Sequence, residues 1–145
     1  MANDTNSPAQ MIRTMRLIQI ALAAGQLMFG GVALFVARPE GVSADISTNL
    51  IIVIGAMVGC IVASRKLFAV RLKAAQETQD VIEKLKVYQS AKIIQWSLIE
   101  GAVLFAIVNY LIFADSVFML IAMAGFVYFA LLGVNATEDL GQKIR

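Results

Sequence analysis

The sequence contains no histidine and only one cysteine, Cys60. Zinc sites, histidine-ligated haem and iron–sulfur clusters therefore have no ligand set, and an intramolecular disulfide is excluded. Acid–base and nucleophilic catalysis also lack their usual groups, because no thiol pair or paired carboxylate is available. No glycine-rich phosphate loop precedes a Lys-Ser or Lys-Thr pair. We expect a non-enzymatic protein that uses no cofactor and no metal and binds no nucleic acid.

Charge is scarce as well. Of the 145 residues, 15% are charged and 59% are hydrophobic, and the mean hydropathy is +0.77. A chain of this size is too apolar for a soluble domain, so we predict a single all-α membrane domain, residues 1–145. Its apolar runs predict four spans packed as an antiparallel up-down bundle. The predicted spans are residues 17–37, 49–63, 93–113 and 117–134.

The segment between the second and third spans, residues 64–92, is amphipathic and rich in lysine and arginine. It predicts that helices 2 and 3 continue beyond the bilayer as a hairpin. Asp80, with Glu83 three residues later, is typical of the start of the returning helix. Arg38 is the only lysine or arginine in the loop after the first span, and all others fall in the N-terminal segment, the hairpin or the tail. The positive-inside rule places both termini and the hairpin in the cytoplasm of a bacterial inner membrane.

One carboxylate, Glu100, falls inside a predicted span. It lies about 10 Å below the membrane boundary, since each helical residue rises about 1.5 Å. No lysine, arginine or histidine lies in any span to neutralise it, so we expect Glu100 to be protonated or hydrogen-bonded. Ser97, one turn away, and Gln26, at similar depth in the first span, are its candidate partners. The group either handles a proton or cation, or holds helices together.

Small residues recur in the apolar runs. Gly55 and Gly59 form a small-xxx-small pattern, which allows close approach of another helix. We assign five glycines to helix packing: Gly25, Gly55, Gly59, Gly101 and Gly125.

The first and third spans also align with each other. The identical residues share one helical stripe, which favours an internal duplication in which only the later copy carries the acid. The aligned pairs are Gln19 with Gln95, Leu22 with Leu98, Gly25 with Gly101, Phe29 with Phe105, and Val32 with Val108.

Residues 88–105 carry the pattern Tyr-x-x-Ala-x-Ile-Ile, then Leu-x-Glu-Gly, then Phe. This segment resembles a family of small uncharacterised bacterial four-helix integral membrane proteins, which often have Arg where this chain has Gln95. The resemblance implies four spans and no established activity. A weaker likeness connects Ser97-Leu-Ile-Glu100-Gly-Ala to the proteolipid ring subunit of rotary ATPases, whose corresponding carboxylate binds an ion. This chain lacks that subunit's serial glycines and its Arg-Gln-Pro loop.

Two functions follow as hypotheses. The first is a non-enzymatic membrane protein that acts by assembly, as a homo-oligomer or as a small subunit of a larger membrane complex. The second is a proton- or cation-translocating protein that uses Glu100. The small-residue stripes and the lack of catalytic groups favour the first, whereas the intramembrane acid motivates the second.

Overall fold

The computed structural model describes residues 7–36, 46–135 and 139, and within these ranges every regular element is an α-helix. The elements are α1 (Pro8–Val36), α2 (Ile46–Glu77), α3 (Val81–Phe113) and α4 (Ser116–Leu131). The predicted all-α four-helix bundle is confirmed. Helices α1, α2 and α3 are long and apolar enough to cross a membrane, as expected of a multi-pass membrane protein. Helix α4 is apolar but has only 16 residues.

The helix boundaries follow from local sequence. Asp80 caps α3 by accepting a hydrogen bond from the Ile82 amide at 2.9 Å, and Asp115 caps α4 through the Val117 amide at 2.8 Å. Between the last two helices, Ala114 adopts the left-handed conformation with φ of 51°, which closes α3 in the manner of a C-terminal cap. This two-residue turn brings α4 back antiparallel to α3.

The predicted helical hairpin is also confirmed, because α2 continues unbroken to Glu77 and α3 begins at Val81. The fourth predicted span ended at residue 134, whereas α4 ends at Leu131 and the chain then leaves the helix. Pro39 and Gly41 in the sequence predict the end of the first helix at residues 38–41, and these residues lie outside the described ranges.

Helix α3 is the centre of the bundle. It packs against α1, α2 and α4, while α4 also contacts α1 and α2; α1 and α2 do not pack extensively against each other. The interior is built on large side chains, many of them on α3. The largest fully buried ones are Trp96, Tyr88, Phe118, Phe129, Met15 and Leu85.

Because no helix covers it, one side of α3 remains open. Its exposed residues recur at helical spacing at positions Ser97, Gly101, Phe105, Val108 and Ile112. This open side belongs to the apolar part of α3 and is the surface on which the candidate acid is found.

Candidate functional site

Glu100 lies at the edge of the open side of α3 and is partly exposed. Among the described residues it has no hydrogen-bond or ion-pair partner. Its helical neighbour Ser97 is exposed on the same side. We define the Glu100 face as the α3 residues Ser97, Glu100, Gly101, Phe105 and Val108. A carboxyl group is thus presented on the outer surface of the bundle beside a glycine.

Gln26 does not join this face. Its side chain is buried in the bundle, with 2% of the residue exposed, and no hydrogen bond connects it to Glu100. Neither its amide nitrogen nor its amide oxygen has a partner among the described residues. The sequence therefore predicted two polar groups within the apolar spans, and the fold places Glu100 at the bundle surface and Gln26 in the bundle interior.

The five glycines separate in the same way. A Cβ added to Gly25, Gly55, Gly59 or Gly101 would have no other atom within 4 Å, whereas one added to Gly125 would meet Met57 and Val103. Only Gly125 is therefore a close-packing position within the bundle. The other four leave a smooth surface that another helix can approach.

The stripe of identical residues on α1 and α3 faces outward over part of its length. Phe29 and Phe105 are 37% and 39% exposed, and Val32 and Val108 are 57% and 39% exposed. Of the shared residues, Leu22 packs against the core, whereas the glycines, phenylalanines and valines face outward. They give two helices of one chain similar outer surfaces.

A buried polar cluster, which sequence reasoning missed, lies at the hairpin end of the bundle. Asp139 accepts a hydrogen bond of 2.7 Å from the Tyr88 hydroxyl and lies 3.6 Å from the Lys92 Nζ. The same ammonium group lies 4.5 Å from the ring centroid of Phe68, a cation–π contact. Gln76 donates to the Asp139 carbonyl oxygen at 3.1 Å. Together these contacts hold Asp139 against α2 and α3.

A second set of contacts holds the end of α4. The Trp96 indole nitrogen donates to the Leu132 carbonyl at 3.0 Å, and the Gln19 amide donates to the same oxygen at 3.2 Å. One carbonyl that the helix leaves unpaired is thereby satisfied from α1 and α3. Gln19, which the alignment pairs with Gln95, is therefore a cap for α4.

Charges in the cluster respond to burial. Burial, and next the hydrogen bond to Asp139, raises the pKa of Tyr88 far above its usual range. Burial lowers the pKa of Lys92, and the Asp139 carboxylate opposes this change. The folded state thus favours the neutral phenol of Tyr88 and makes the charged form of Lys92 more costly than in an exposed lysine.

We expect Tyr88 to remain protonated in strongly alkaline solution. An ordinary tyrosine, with a pKa of about 10, is about nine-tenths ionised at about pH 11. The chain has three tyrosines, so wild type and Tyr88→Phe are compared in the tyrosinate absorbance band. Equal absorbance increases at about pH 11 are expected, because Tyr88 contributes none. A larger increase in wild type, corresponding to one extra tyrosinate, would show that the phenol is not held by the fold.

The same shift predicts a pH dependence of stability. Since the folded pKa of Tyr88 lies above the unfolded value of about 10, its contribution is complete below about pH 10 and is lost as pH rises further. Lys92 acts with the opposite sign and at lower pH. Because its folded pKa lies below the unfolded value of about 10.5, alkali relieves the cost of its buried charge up to about that pH and not beyond. Tyr88→Phe retains Lys92, so it should lose less stability than wild type above about pH 10.

Comparison with protein-family models, with curated proteins and with solved structures finds no match to this chain. The family resemblance of residues 88–105 stays a prediction from the sequence.

Proposed function

We propose that this protein is a non-enzymatic subunit of a bacterial inner-membrane assembly and that the Glu100 face is its contact surface. The observation that carries the proposal is a carboxyl group in the apolar part of α3, partly exposed at the bundle surface, with no polar partner among the described residues of its own chain. A polar group in lipid is costly unless it is hydrogen-bonded. A second chain provides that partner.

The neighbouring residue supports the same function. A Cβ added at Gly101 would have no atom within 4 Å apart from its own local backbone, so this glycine is not required for close packing within the bundle. A glycine on a lipid-facing surface allows another helix backbone to come close. Phe105 and Val108, one and two turns farther along α3, then supply apolar contact area next to the surface that Gly101 leaves open.

The partner is either a second copy of this chain or another membrane subunit. In a homo-oligomer, the outward stripes of α1 and α3 give a head-to-tail contact, since both carry Gly, Phe and Val at the same spacing. Positive-inside orientation places the hairpin and both termini in the cytoplasm. The buried polar cluster of Tyr88, Lys92 and Asp139, which we call the Lys92 cluster, then lies on the cytoplasmic side of the assembly.

The test is purification of tagged protein from native membranes in mild detergent, followed by the intact mass of the assembly. We expect a mass above that of the monomer for wild type, and Gly101→Leu should reduce the complex at least about tenfold, since losing close approach costs more than about 1.4 kcal/mol. The monomer should stay folded, because the new side chain enters open space.

Gly25→Leu is the matched control, since Gly25 is equally exposed and unobstructed but lies on α1. It should leave a hetero-complex through the Glu100 face intact. In a homo-oligomer built from both stripes, each variant should fail to assemble alone. A mixture of the two should restore a dimer and nothing larger, because the intact α1 stripe of Gly101→Leu can still contact the intact α3 stripe of Gly25→Leu. A wild-type monomer that copurifies with no other protein would overturn the proposal.

Proton or cation translocation is the second candidate function, favoured by the same exposure of Glu100. A carboxyl group open to the surface can exchange a proton with a partner or with a water path, which a packed structural acid cannot. Glu100→Gln retains the shape and removes the exchangeable proton. If reconstituted wild type acidifies liposomes and Glu100→Gln does so at the same rate, this function is excluded.

A further inference from the structure

A cleft opens on the opposite side of α3 from the Glu100 face, between α1, α3 and α4. Its volume is about 330 Å³, and all of its lining residues except Gln26 are apolar. The exposed residues Leu27, Leu34 and Met123 lie at its rim, so the cleft opens toward lipid. Gly31 lines it without contact, because a Cβ there would have no atom within 4 Å.

Gln26 gives this cleft a polar end. Gln26 is 2% exposed, and neither its amide nitrogen nor its amide oxygen has a hydrogen-bond partner among the described residues. Buried amides are rarely left unpaired, because each lost hydrogen bond costs about 1–3 kcal/mol. Ordered water is a poor partner here, since a water molecule needs several polar neighbours and the rest of the lining offers none.

We propose that the cleft binds a small neutral lipophile that carries a hydroxyl group, with the hydroxyl on Gln26. A hydroxyl can accept from Nε2 and donate to Oε1, so it satisfies both unpartnered atoms. The volume accommodates about eleven water-sized groups at about 30 Å³ each. This matches a single short chain or a ring system, at the lower end of ligand pockets.

A phospholipid cannot both fill the apolar cleft and place a polar group on Gln26. Gln26 lies about 10 Å farther along α1 than Gln19, which is bonded at the end of α4. That depth is near the middle of a hydrocarbon layer about 30 Å thick, whereas ester and headgroup oxygens stay at its boundary. An acyl chain alone would fill the apolar part and leave the amide unpaired.

The test uses two photoactivatable probes in phosphatidylcholine nanodiscs: a ten-carbon primary alcohol that carries a diazirine, and the matched alkane. Crosslinked peptides are mapped by mass spectrometry. We expect the alcohol to label the lining residues Met119 and Met123 about fivefold more than the alkane does, the equivalent of about 1 kcal/mol for one hydrogen bond. Unlabelled 1-decanol should compete with the alcohol probe.

Three variants locate the binding. Gly31→Leu places a side chain in the cleft and should remove most alcohol labelling, whereas Gly25→Leu makes the same change on the exposed surface and should not. Gln26→Leu retains the apolar shape and should reduce alcohol labelling to that of the alkane. Folding of each variant is checked by gel filtration and by Trp96 emission.

Several results would overturn the proposal. Equal labelling by alcohol and alkane in wild type would mean that the cleft holds acyl chains only. Full labelling of Gly31→Leu, or labels spread over the exposed surface of α2, would mean that the cleft is not the site. If Gly31→Leu fails to fold, lack of competition by 1-decanol in wild type still excludes the site.

Discussion

Gly125→Leu lowers the free energy of unfolding by about 3 kcal/mol, which is the upper end of the usual cost of overpacking a core. A Cβ at this position would lie 2.6 Å from Met57 Cε and 2.7 Å from Val103 Cγ2. The Met57 methyl group can turn away, but Val103 is β-branched and fixed on its helix. Helix α4 must therefore move away from α3, and the contact among α2, α3 and α4 is lost.

Unfolding is followed in mixtures of mild detergent and dodecyl sulfate by the emission of Trp96, the only tryptophan in the sequence. Gly101→Leu is the matched control, since it makes the same change in a transmembrane helix but meets no atom. In both variants, replacing glycine by leucine favours the helix by up to about 1 kcal/mol. The difference between their free energies of unfolding therefore reports the effect of packing alone. The stability of Gly125→Ala should fall between theirs, because its Cβ already meets Met57 and Val103 but it adds no further atoms.

If Gly125→Leu and Gly101→Leu were equally stable, the close approach of α4 to Val103 would not support the bundle. If Gly101→Leu were the less stable monomer, Gly101 would be a packing position of the bundle, and the proposed contact surface would lose its main support. The two glycines therefore test the fold and the function separately.

The fold was largely accessible from the sequence. Long apolar runs predicted α1 and α3, the aspartate at Asp80 predicted the start of α3, and the short loop before Ser116 predicted antiparallel α4. These signals are local, since they depend on helix caps, turn residues and hydrophobic length. The end of α4 was missed because residues after Leu131 are still apolar, and hydrophobicity alone does not mark where a helix ends.

The sequence did not predict which side of each helix faces inward. In a soluble helix the polar face marks solvent, but a membrane helix is apolar toward both lipid and protein. Gly55 and Gly125 therefore look alike in the sequence, although the first is on the surface and the second is packed. The same ambiguity allowed Gln26 to be paired with Glu100, from which the fold separates it.

The Lys92 cluster left a weak signal. The spacing of Leu85, Tyr88, Lys92 and Trp96 places the lysine on the apolar stripe of α3, yet a count of positive charges groups it with exposed lysines. Its partner Asp139 is separated from it by the whole of α4, so no local pattern connects the two residues. Only the fold brings them together.

We expect mutation of Lys92 and mutation of Asp139 to lower the free energy of unfolding by different amounts. The Lys92 side chain is 7% exposed and that of Asp139 is 26% exposed. Asp139→Ala leaves a buried ammonium group without its carboxylate and should cost about 2 kcal/mol, somewhat below the cost of breaking a fully buried pair. Lys92→Met should cost about 1 kcal/mol, because Asp139 is open enough to gain water and keeps its bond from Tyr88.

The double variant distinguishes this pair from a surface ion pair. Once Lys92 is replaced, removing Asp139 no longer exposes an uncompensated charge, so the double variant should be at least as stable as Asp139→Ala. The coupling energy should be about 1 kcal/mol or more, beyond the usual value for exposed pairs. Arg71→Gln is the control for loss of a cation from the hairpin. Arg71 is exposed and its side chain makes a solvent-exposed hydrogen bond to Ser90, so the change should have almost no effect. Additive single effects of equal size would mean that Asp139 is bound by Tyr88 and Gln76 and that the charge of Lys92 is balanced by solvent.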